Sequence, residues 1–116
     1  MICVYIASPY TLGDKLSNVA VQQTAFDRLA DAGLCPVAPL LLHYQHCFSN
    51  RKERDWIAFG LEYLRRSDCV VRLPGESRGA EGEIKEAGRI GIPVYYSLEQ
   101  VIEESKYMYE RKRHET

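Results

Sequence analysis

Apolar runs and helix-periodic segments alternate four times along this chain, and that alternation limits the folds open to it. The first run, residues 2–7, is continuously apolar, which is typical of a strand buried on both faces. Further strand-like runs lie at 34–40, 69–73 and 92–96, and a segment with apolar residues at helical spacing follows each run. This β-α-β-α-β-α-β-α order predicts a parallel sheet covered by helices on both faces, with right-handed crossovers.

Glycine, proline and serine residues indicate where these elements begin and end. Gly33 and Gly91 are predicted to end the first and third helices, because glycine adopts the left-handed conformation of a helix C-terminus without strain. The prolines within 34–40 place the second strand near an edge of the sheet or make it short. Ser97 predicts the N-terminus of a last helix that continues to about Arg111.

The stretch between the second strand and the second helix is predicted to be irregular. We interpret residues 41–50 as a loop that carries histidines and aromatic residues, and residues 52–66 as a helix. The predicted core stripe of that helix is Trp56, Phe59, Tyr63 and Leu64, although Trp56 or Phe59 could instead stack on a nucleobase. In the first helix, the periodicity turns Gln23 inward.

The size and composition of the chain predict one globular unit. A length of 116 residues is enough for one domain and too short for two. Hydrophobic residues at 46% and charged residues at 27% are an ordinary globular balance. We therefore predict a single domain over residues 1–116, an α/β three-layer sandwich of flavodoxin or Rossmann-like type with a parallel sheet of four to five strands.

Charge and hydropathy restrict the partners and the location of the protein. The formal net charge of −1 gives no electrostatic basis for nucleic-acid binding. Glutamates interleave with the basic segment 106–114, so we interpret that segment as a solvated helix face. No apolar run approaches the roughly 20 residues that span a bilayer, and a strand-like run rather than a signal peptide follows Met1. We expect a cytoplasmic protein with no membrane or nucleic-acid partner.

The four cysteines are widely scattered along the chain. Three of them fall in or beside predicted strands, where small buried hydrophobic residues are expected. The fourth, Cys47, lies near His43 and His46 and could join them in a zinc site, but the spacing is not that of a metal-ligand motif. We therefore predict reduced cysteines, no metal and no cofactor.

Residues 73–83 form the stretch most indicative of chemistry. The sequence Leu-Pro-Gly-Glu-Ser-Arg-Gly-Ala-Glu-Gly-Glu follows the third apolar run and predicts a tight turn and then a helix. The backbone N–H groups of such a turn can bind a phosphate or a sugar hydroxyl. Because the carboxyl ends of parallel strands meet at one edge of a sheet, residues 8–10 are expected to border the same crevice. Glu83 is placed to reach a ligand in that crevice.

Two segments resemble the nucleoside 2-deoxyribosyltransferase-like superfamily, which includes the transferases and the deoxynucleoside 5′-monophosphate N-glycosidases. The first is residues 4–10, Val-Tyr-Ile-Ala-Ser-Pro-Tyr. The second is residues 68–83, in which Ser77, Gly79 and Glu83 form a Ser-x-Gly-x-x-x-Glu spacing, the most specific part of the resemblance. The resemblance extends over most of the chain, since the order of helices and strands also matches.

The resemblance implies a catalytic centre built on Glu83. In that superfamily the corresponding glutamate attacks the anomeric carbon of the sugar, the base leaves, and water or another base resolves the covalent glycosyl-enzyme. Tyr5 would lie beside this nucleophile, and we expect the helix dipole to keep Glu83 ionised. The expected substrate-binding residues are Ser8, Pro9, Tyr10, Gly75, Ser77 and Gly79, together with His43, whose loop can fold over the crevice.

One position departs from the superfamily pattern. An aspartate of the second helix that helps with the leaving base or the sugar is replaced here by Gly60. Glycine within a helix costs about 1 kcal/mol relative to alanine, which indicates close approach by another group. Three interpretations stay open: another group protonates the base, catalysis is weak, or the protein binds without turnover.

Two alternative assignments are ranked lower. Lysine-decarboxylase-like phosphoribohydrolases also cleave a nucleotide N-glycosidic bond, with a Pro-Gly-Gly-x-Gly-Thr-x-x-Glu turn. The present turn is one residue longer and lacks the threonine. Glu83 could also be a surface carboxylate that complements the helix dipole or pairs with Lys85 or Arg89.

We therefore predict cleavage or transfer at the N-glycosidic bond of a (deoxy)ribonucleoside or its 5′-monophosphate, with Glu83 as the nucleophile. The alternative function is a non-catalytic nucleotide-binding or sensing module, for which Gly60 is the main support. A homodimer or higher homo-oligomer is expected, because a small sheet leaves edges and apolar faces uncovered. The candidate contact surfaces are residues 56–63 and 107–109.

Overall fold

A computed structural model describes residues 1–115 of the chain, with side chains through Arg111. Within these residues, four parallel strands form one sheet in the order β2-β1-β3-β4. The strands are β1 (Cys3–Ala7), β2 (Cys35–Val37), β3 (Cys69–Arg72) and β4 (Val94–Tyr95). The helices are α1 (Lys15–Asp31), α2 (Leu42–Phe48), α3 (Glu53–Arg65), α4 (Arg78–Ile90) and α5 (Leu98–Glu115), and a 3-10 turn at Pro39–Leu41 precedes α2.

The side chains of β1 alternate between two apolar clusters, because successive residues of a strand point to opposite faces of the sheet. Val4 and Ile6 pack in one cluster with residues of α1 and α5. Tyr5 and Ala7 pack in the other cluster with residues of α3 and α4, including the fully buried Leu64. The sheet is therefore the middle layer of a three-layer α/β sandwich, and the predicted fold is confirmed with four strands.

The two central strands, β1 and β3, stay paired up to their carboxyl ends. Ala7 lies opposite Arg72 in the register, and the N–H of Leu73 donates to the carbonyl of Ala7 at 2.9 Å. From these ends the chain continues toward β2 on one side of the sheet and toward β4 on the other. Such a switch in strand order is where ligands bind in open α/β sheets.

Several predicted element ends are confirmed. Gly33 and Gly91 adopt positive φ angles of 84° and 81° at the ends of α1 and α4. The side chain of Ser97 accepts a hydrogen bond from the N–H of Gln100 at 3.0 Å and so caps α5. The proline-bearing strand β2 lies at an edge of the sheet, as predicted.

The prediction of an irregular loop over residues 41–50 is wrong. Most of this segment is the helix α2, which follows the 3-10 turn that Pro39 begins. Proline suits the first position of a helical turn, and neither glycine nor proline interrupts the chain again before Gly60. No residue of α2 is buried. The helix therefore contributes no side chain to the buried core.

The predicted core stripe of α3 is also partly wrong. Only Gly60 and Leu64 are buried, whereas 40% of Phe59 and 44% of Tyr63 are exposed. The inward face runs at i, i+4 spacing from the half-buried Trp56 through Gly60 to Leu64. Phe59 and Tyr63 lie at the rim of that face because they are one position out of register.

One of the three residues of α5 that were predicted to form a contact surface, 107–109, is buried instead. Met108 faces the core, while Tyr107 and Tyr109 are exposed. In the basic segment 106–114, Lys106 pairs with Glu103 at 3.1 Å, and the side chains of residues 112–114 lie outside the described residues. None of the helices in the described part of the chain combines the length and the apolarity needed to cross a membrane.

Candidate active site

A tyrosine–glutamate pair lies on the face of the sheet that α3 and α4 cover. Tyr5 of β1 is fully buried, and its hydroxyl donates a hydrogen bond to Oε2 of Glu83 in α4. Glu83 is partly buried, and its Oε1 is hydrogen-bonded to no described residue. The tyrosine therefore holds one carboxylate oxygen and leaves the other without a described partner. The alternative in which Glu83 pairs with Lys85 or Arg89 at the surface is not observed among these contacts.

The buried face of α3 approaches this pair at Gly60. A Cβ atom at position 60 would lie 3.2 Å from the Tyr5 hydroxyl and 4.0 Å from Oε2 of Glu83. The position at which the resembled superfamily carries an aspartate thus faces the candidate nucleophile. In this chain it contributes no side chain there.

Burial raises the pKa of Glu83 to about 7, although the hydrogen bond from Tyr5 and the charge of Arg72 act in the opposite direction. Glu83 lies in the second turn of α4, where the helix dipole is too weak to offset burial. The expectation that Glu83 stays ionised is therefore wrong near neutral pH, where both forms coexist. The pKa of Tyr5 is also raised, first by burial and then by the charge of Glu83, so its hydroxyl keeps its proton.

The raised pKa of Glu83 predicts a stability that falls as the pH rises. The folded state holds the Glu83 proton more tightly than the unfolded state, whose value is 4.5. The free energy of unfolding should therefore decrease between about pH 4.5 and 7 and level off above, by at most about 3 kcal/mol. Urea denaturation of wild type and Glu83→Gln at several pH values isolates this contribution. A difference between the two proteins that does not vary with pH would contradict it.

Arg72, the last residue of β3, shapes the turn between β3 and α4 and was not predicted as a site residue. Its buried guanidinium donates to the carbonyl of Leu73 and, at 2.7 Å, to that of Gly75, and it pairs with Glu81 at 3.0 Å. These contacts hold the turn against the end of the strand. An arginine within an apolar run was the available signal, because a buried charge is retained only where partners satisfy it.

The β3–α4 turn contacts the β1–α1 loop at Gly75. The φ angle of Gly75 is +119°, and a Cβ atom there would lie 2.7 Å from Cγ of Pro9. Two predicted substrate-binding residues are therefore in direct contact. Position 75 requires glycine both for its backbone conformation and for the close approach of the proline ring.

The N-terminus of α4 lies beside an open cleft. Ser77 caps the helix, and its Oγ accepts a hydrogen bond from the N–H of Ala80 at 3.1 Å, which leaves the hydroxyl proton free to donate outward. A Cβ atom at Gly79 would make only an ordinary contact with Ser77. The cleft has a volume of about 460 Å³ and is lined by Arg72, Gly75, Glu76, Ser77, Arg78 and Glu81. Glu83 does not line it.

Helix α2 brings His43 to the β1–α1 loop. The Tyr10 hydroxyl hydrogen-bonds Nδ1 of His43, and the two rings meet edge to face at 5.6 Å. Nδ1 of His46 accepts a hydrogen bond from the Trp56 indole N–H at 2.9 Å. Both histidines thus contact aromatic residues. Among the side chains that the structure describes, no three His, Cys, Asp or Glu residues are grouped to hold a metal ion.

Ser8 is held by Gln22, a buried residue that was not predicted. The Gln22 amide N–H₂ donates to Oγ of Ser8 at 2.8 Å and to the carbonyl of Ile6 at 3.0 Å. Its Oε1 accepts a hydrogen bond from the N–H of Leu40 at 2.9 Å. One side chain thus joins the end of β1 to the segment that leads into α2. The prediction that Gln23 faces inward is wrong by one position, since Gln22 is 1% exposed.

Residues 2–97 match a family model described as a domain of unknown function, DUF7768. The chain belongs to the DUF7768 family. The matched range contains Tyr5, Gly60 and Glu83, so the candidate site lies within the DUF7768 domain. None of the curated proteins matches the chain.

One solved structure similar to this DUF7768 domain is a 2-deoxyribosyltransferase from the psychrotolerant bacterium Bacillus psychrosaccharolyticus. That enzyme is described as a suitable biocatalyst for the synthesis of antiviral and antitumoral nucleosides. The two chains are 22% identical, the alignment covers 79% of this chain and 69% of that one, and the TM-score is 0.49.

Proposed function

We propose that residues 1–116 form one nucleoside 2-deoxyribosyltransferase-like domain that cleaves or transfers at the N-glycosidic bond of a (deoxy)ribonucleoside or its 5′-monophosphate. The observation that carries the proposal is the Tyr5–Glu83 pair, in which one carboxylate oxygen is held and the other has no described partner. A carboxylate presented in this way suits the nucleophile of a retaining glycosyl transfer. The Ser-x-Gly-x-x-x-Glu spacing supports the same chemistry through the resemblance.

In the proposed reaction, Oε1 of Glu83 forms a bond to the anomeric carbon while the C–N bond breaks and its electron pair leaves with the base. The base gains a proton from another group or from water, since Gly60 offers none. Water or a second base then attacks the same carbon and gives up a proton to that group or to solvent. This attack breaks the glycosyl ester and restores the carboxylate. Two inversions give net retention of configuration. The Tyr5 hydroxyl orients the carboxylate through both steps.

The cleft at the N-terminus of α4 supports a 5′-monophosphate as one substrate class. Free backbone N–H groups of a helix N-terminus, the Ser77 hydroxyl and the exposed Arg78 suit an anion. Arg72 pairs with Glu81, one of the two acidic residues in the lining. We place the phosphate in this cleft and the sugar or base against residues 8–10 and His43.

Base release from a substrate panel tests the proposal. The protein is incubated with ribo- and deoxyribonucleosides and their 5′-monophosphates, with and without a second free base, and the products are separated by chromatography. We expect free base or an exchanged nucleoside from at least one substrate, and a glycosyl adduct on Glu83 detectable by mass spectrometry. Release from no substrate would refute the enzymatic function.

The absence of a side chain at Gly60 favours the alternative of a nucleotide-binding or sensing module. With no carboxylate facing Glu83 from α3, a bound nucleotide has no described acid at that position to protonate its leaving base. Isothermal titration calorimetry separates the two functions. Tight nucleotide binding without product after long incubation would favour the module.

A homodimer or larger homo-oligomer is expected from the exposed apolar residues of α2 and α3. Phe48 is 89% exposed and Ile57 is 55% exposed, which is unfavourable for large apolar side chains in contact with water. We expect light scattering at micromolar concentration to give at least the mass of a dimer, and Phe48→Ser to shift it toward the monomer. Tyr107→Ser on α5 is the matched control for the second candidate surface. A monomeric wild type would contradict the prediction.

A further inference from the structure

We propose that Gly60 is a positioning residue: its missing side chain creates the space in which the Tyr5 hydroxyl meets the Glu83 carboxylate. Gly60 is buried within α3, and the direction of its absent Cβ leads to these two groups alone. The Tyr5 hydroxyl would be 3.2 Å from the Cβ and Oε2 of Glu83 would be 4.0 Å away, with no other described atom within 4 Å outside the local chain. A carbon–oxygen approach of 3.2 Å is tighter than most packing contacts, so the hydroxyl would have to shift by a few tenths of an ångström.

Tyr5 cannot easily yield to a methyl group at position 60. Its side chain is completely buried, and β1 is paired with β2 on one side and with β3 on the other. The hydroxyl could therefore move away only by leaving Glu83, or α3 could move outward from the sheet. Both responses disturb the pair, because a packed interior transmits small displacements instead of absorbing them.

The other helical glycines show that this constraint belongs to position 60. A Cβ atom at Gly82 or Gly88, both in α4, would meet nothing within 4 Å. Alanine is the better helix former at all three positions. Among these glycines, Gly60 is the one at which a side chain would crowd the Tyr5–Glu83 pair. Gly88 provides a matched control.

The catalytic meaning of this arrangement rests on the proposed function. If Glu83 acts as the nucleophile, the Tyr5 hydroxyl occupies the space beside α3 and orients the Glu83 carboxylate. A second carboxylate, carried by a side chain at position 60, would otherwise lie in that space. A carboxylate at position 60 would in addition face Glu83 and disfavour its ionisation. The geometric claim itself does not depend on any reaction.

A double-mutant comparison tests the proposal. Gly60→Ala and Gly88→Ala are made in the wild type and in Tyr5→Phe, which removes only the hydroxyl. We expect Gly88→Ala to raise the melting temperature by about 4 °C in both backgrounds. Gly60→Ala should fail to raise it in the wild type and should raise it in Tyr5→Phe, where the hydroxyl that it would crowd is gone.

The pKa of Glu83 can be measured from the NMR chemical shift of its carboxyl carbon. A purely structural role of Gly60 would leave this pKa unchanged. Gly60→Ala should raise the pKa of Glu83 by about one unit in the wild type, because the hydrogen bond from Tyr5 favours the ionised form. The same substitution in Tyr5→Phe should leave that pKa unchanged. The Gly88→Ala variant should titrate as the wild type does.

A Gly60→Ala variant that is stabilised as much as Gly88→Ala, with an unchanged Glu83 titration, would overturn the proposal. Should Gly60→Ala fail to fold, the Tyr5→Phe/Gly60→Ala double variant decides. Recovery of folding supports the proposal, and failure overturns it. An absence of base release from the wild type would refute the proposed function without altering either readout.

Discussion

Replacing Glu83 with glutamine should lower the rate of base release by about 10⁴-fold while the fold is retained. An amide cannot form the glycosyl ester that a carboxylate forms, but its oxygen still accepts the hydrogen bond from Tyr5. Single-turnover measurements on the best substrate of the panel give the rate. Glu103→Gln is the control, because Glu103 is exposed and pairs with Lys106 at the surface.

The pH dependence of the same rate provides an independent check on Glu83. Only the ionised carboxylate attacks, so base release should rise from pH 5 and level off above the pKa of about 7. In Glu83→Gln the residual rate should lose this dependence. Base release that continues at the wild-type rate in Glu83→Gln would refute the assignment of Glu83 as the nucleophile.

Replacing Gly75 with alanine should lower the free energy of unfolding by about 3 kcal/mol. Alanine is strained at a φ angle of +119°, and its Cβ would lie 2.7 Å from Cγ of Pro9. The turn and the β1–α1 loop would have to separate to relieve that contact. Urea denaturation measures the loss.

Two further variants separate the backbone strain from the collision at Gly75. Gly33 also has a positive φ angle, +84°, but a Cβ atom there would meet nothing within 4 Å. Gly33→Ala should therefore cost only about 1 kcal/mol. Combining Gly75→Ala with Pro9→Ala, which removes Cγ, should recover part of the loss. Equal costs for Gly75→Ala and Gly33→Ala would show that the contact with Pro9 does not constrain the turn.

The parts of the fold that sequence patterns predicted are those in which apolar residues face the core. The continuous apolar run of β1 and the glycines at the ends of α1 and α4 have few alternative interpretations. Helix α2, which was not predicted, has no buried residue. In α3, a core stripe was assigned to Phe59 and Tyr63 because large apolar residues suggest burial, whereas the inward position between them is Gly60.

The residues of the candidate site likewise fall into those that could be predicted from the sequence and those that were missed. Glu83 and Tyr5 could be predicted to meet, since the resemblance links their positions and the topology brings β1 next to β3. Gln22 could not, because hydrophobic periodicity treats an inward polar residue as an exception to the pattern. Arg72 did leave a signal, since it is a charged residue within an apolar run. Each is buried because backbone and side-chain partners satisfy its polar groups. The partners of Gln22 lie 14 to 18 residues away in the sequence, whereas those of Arg72 lie within nine residues.

The guanidinium of Arg72 has a consequence for how a ligand would be received. It anchors the β3–α4 turn through internal carbonyl and carboxylate partners, so the shape of the turn does not depend on a ligand. The loss of conformational entropy that a flexible loop undergoes when it closes on an anion has already occurred during folding. Preorganisation of this kind lets more of the interaction energy appear as affinity, and it favours rapid exchange of substrates over slow capture by a closing loop.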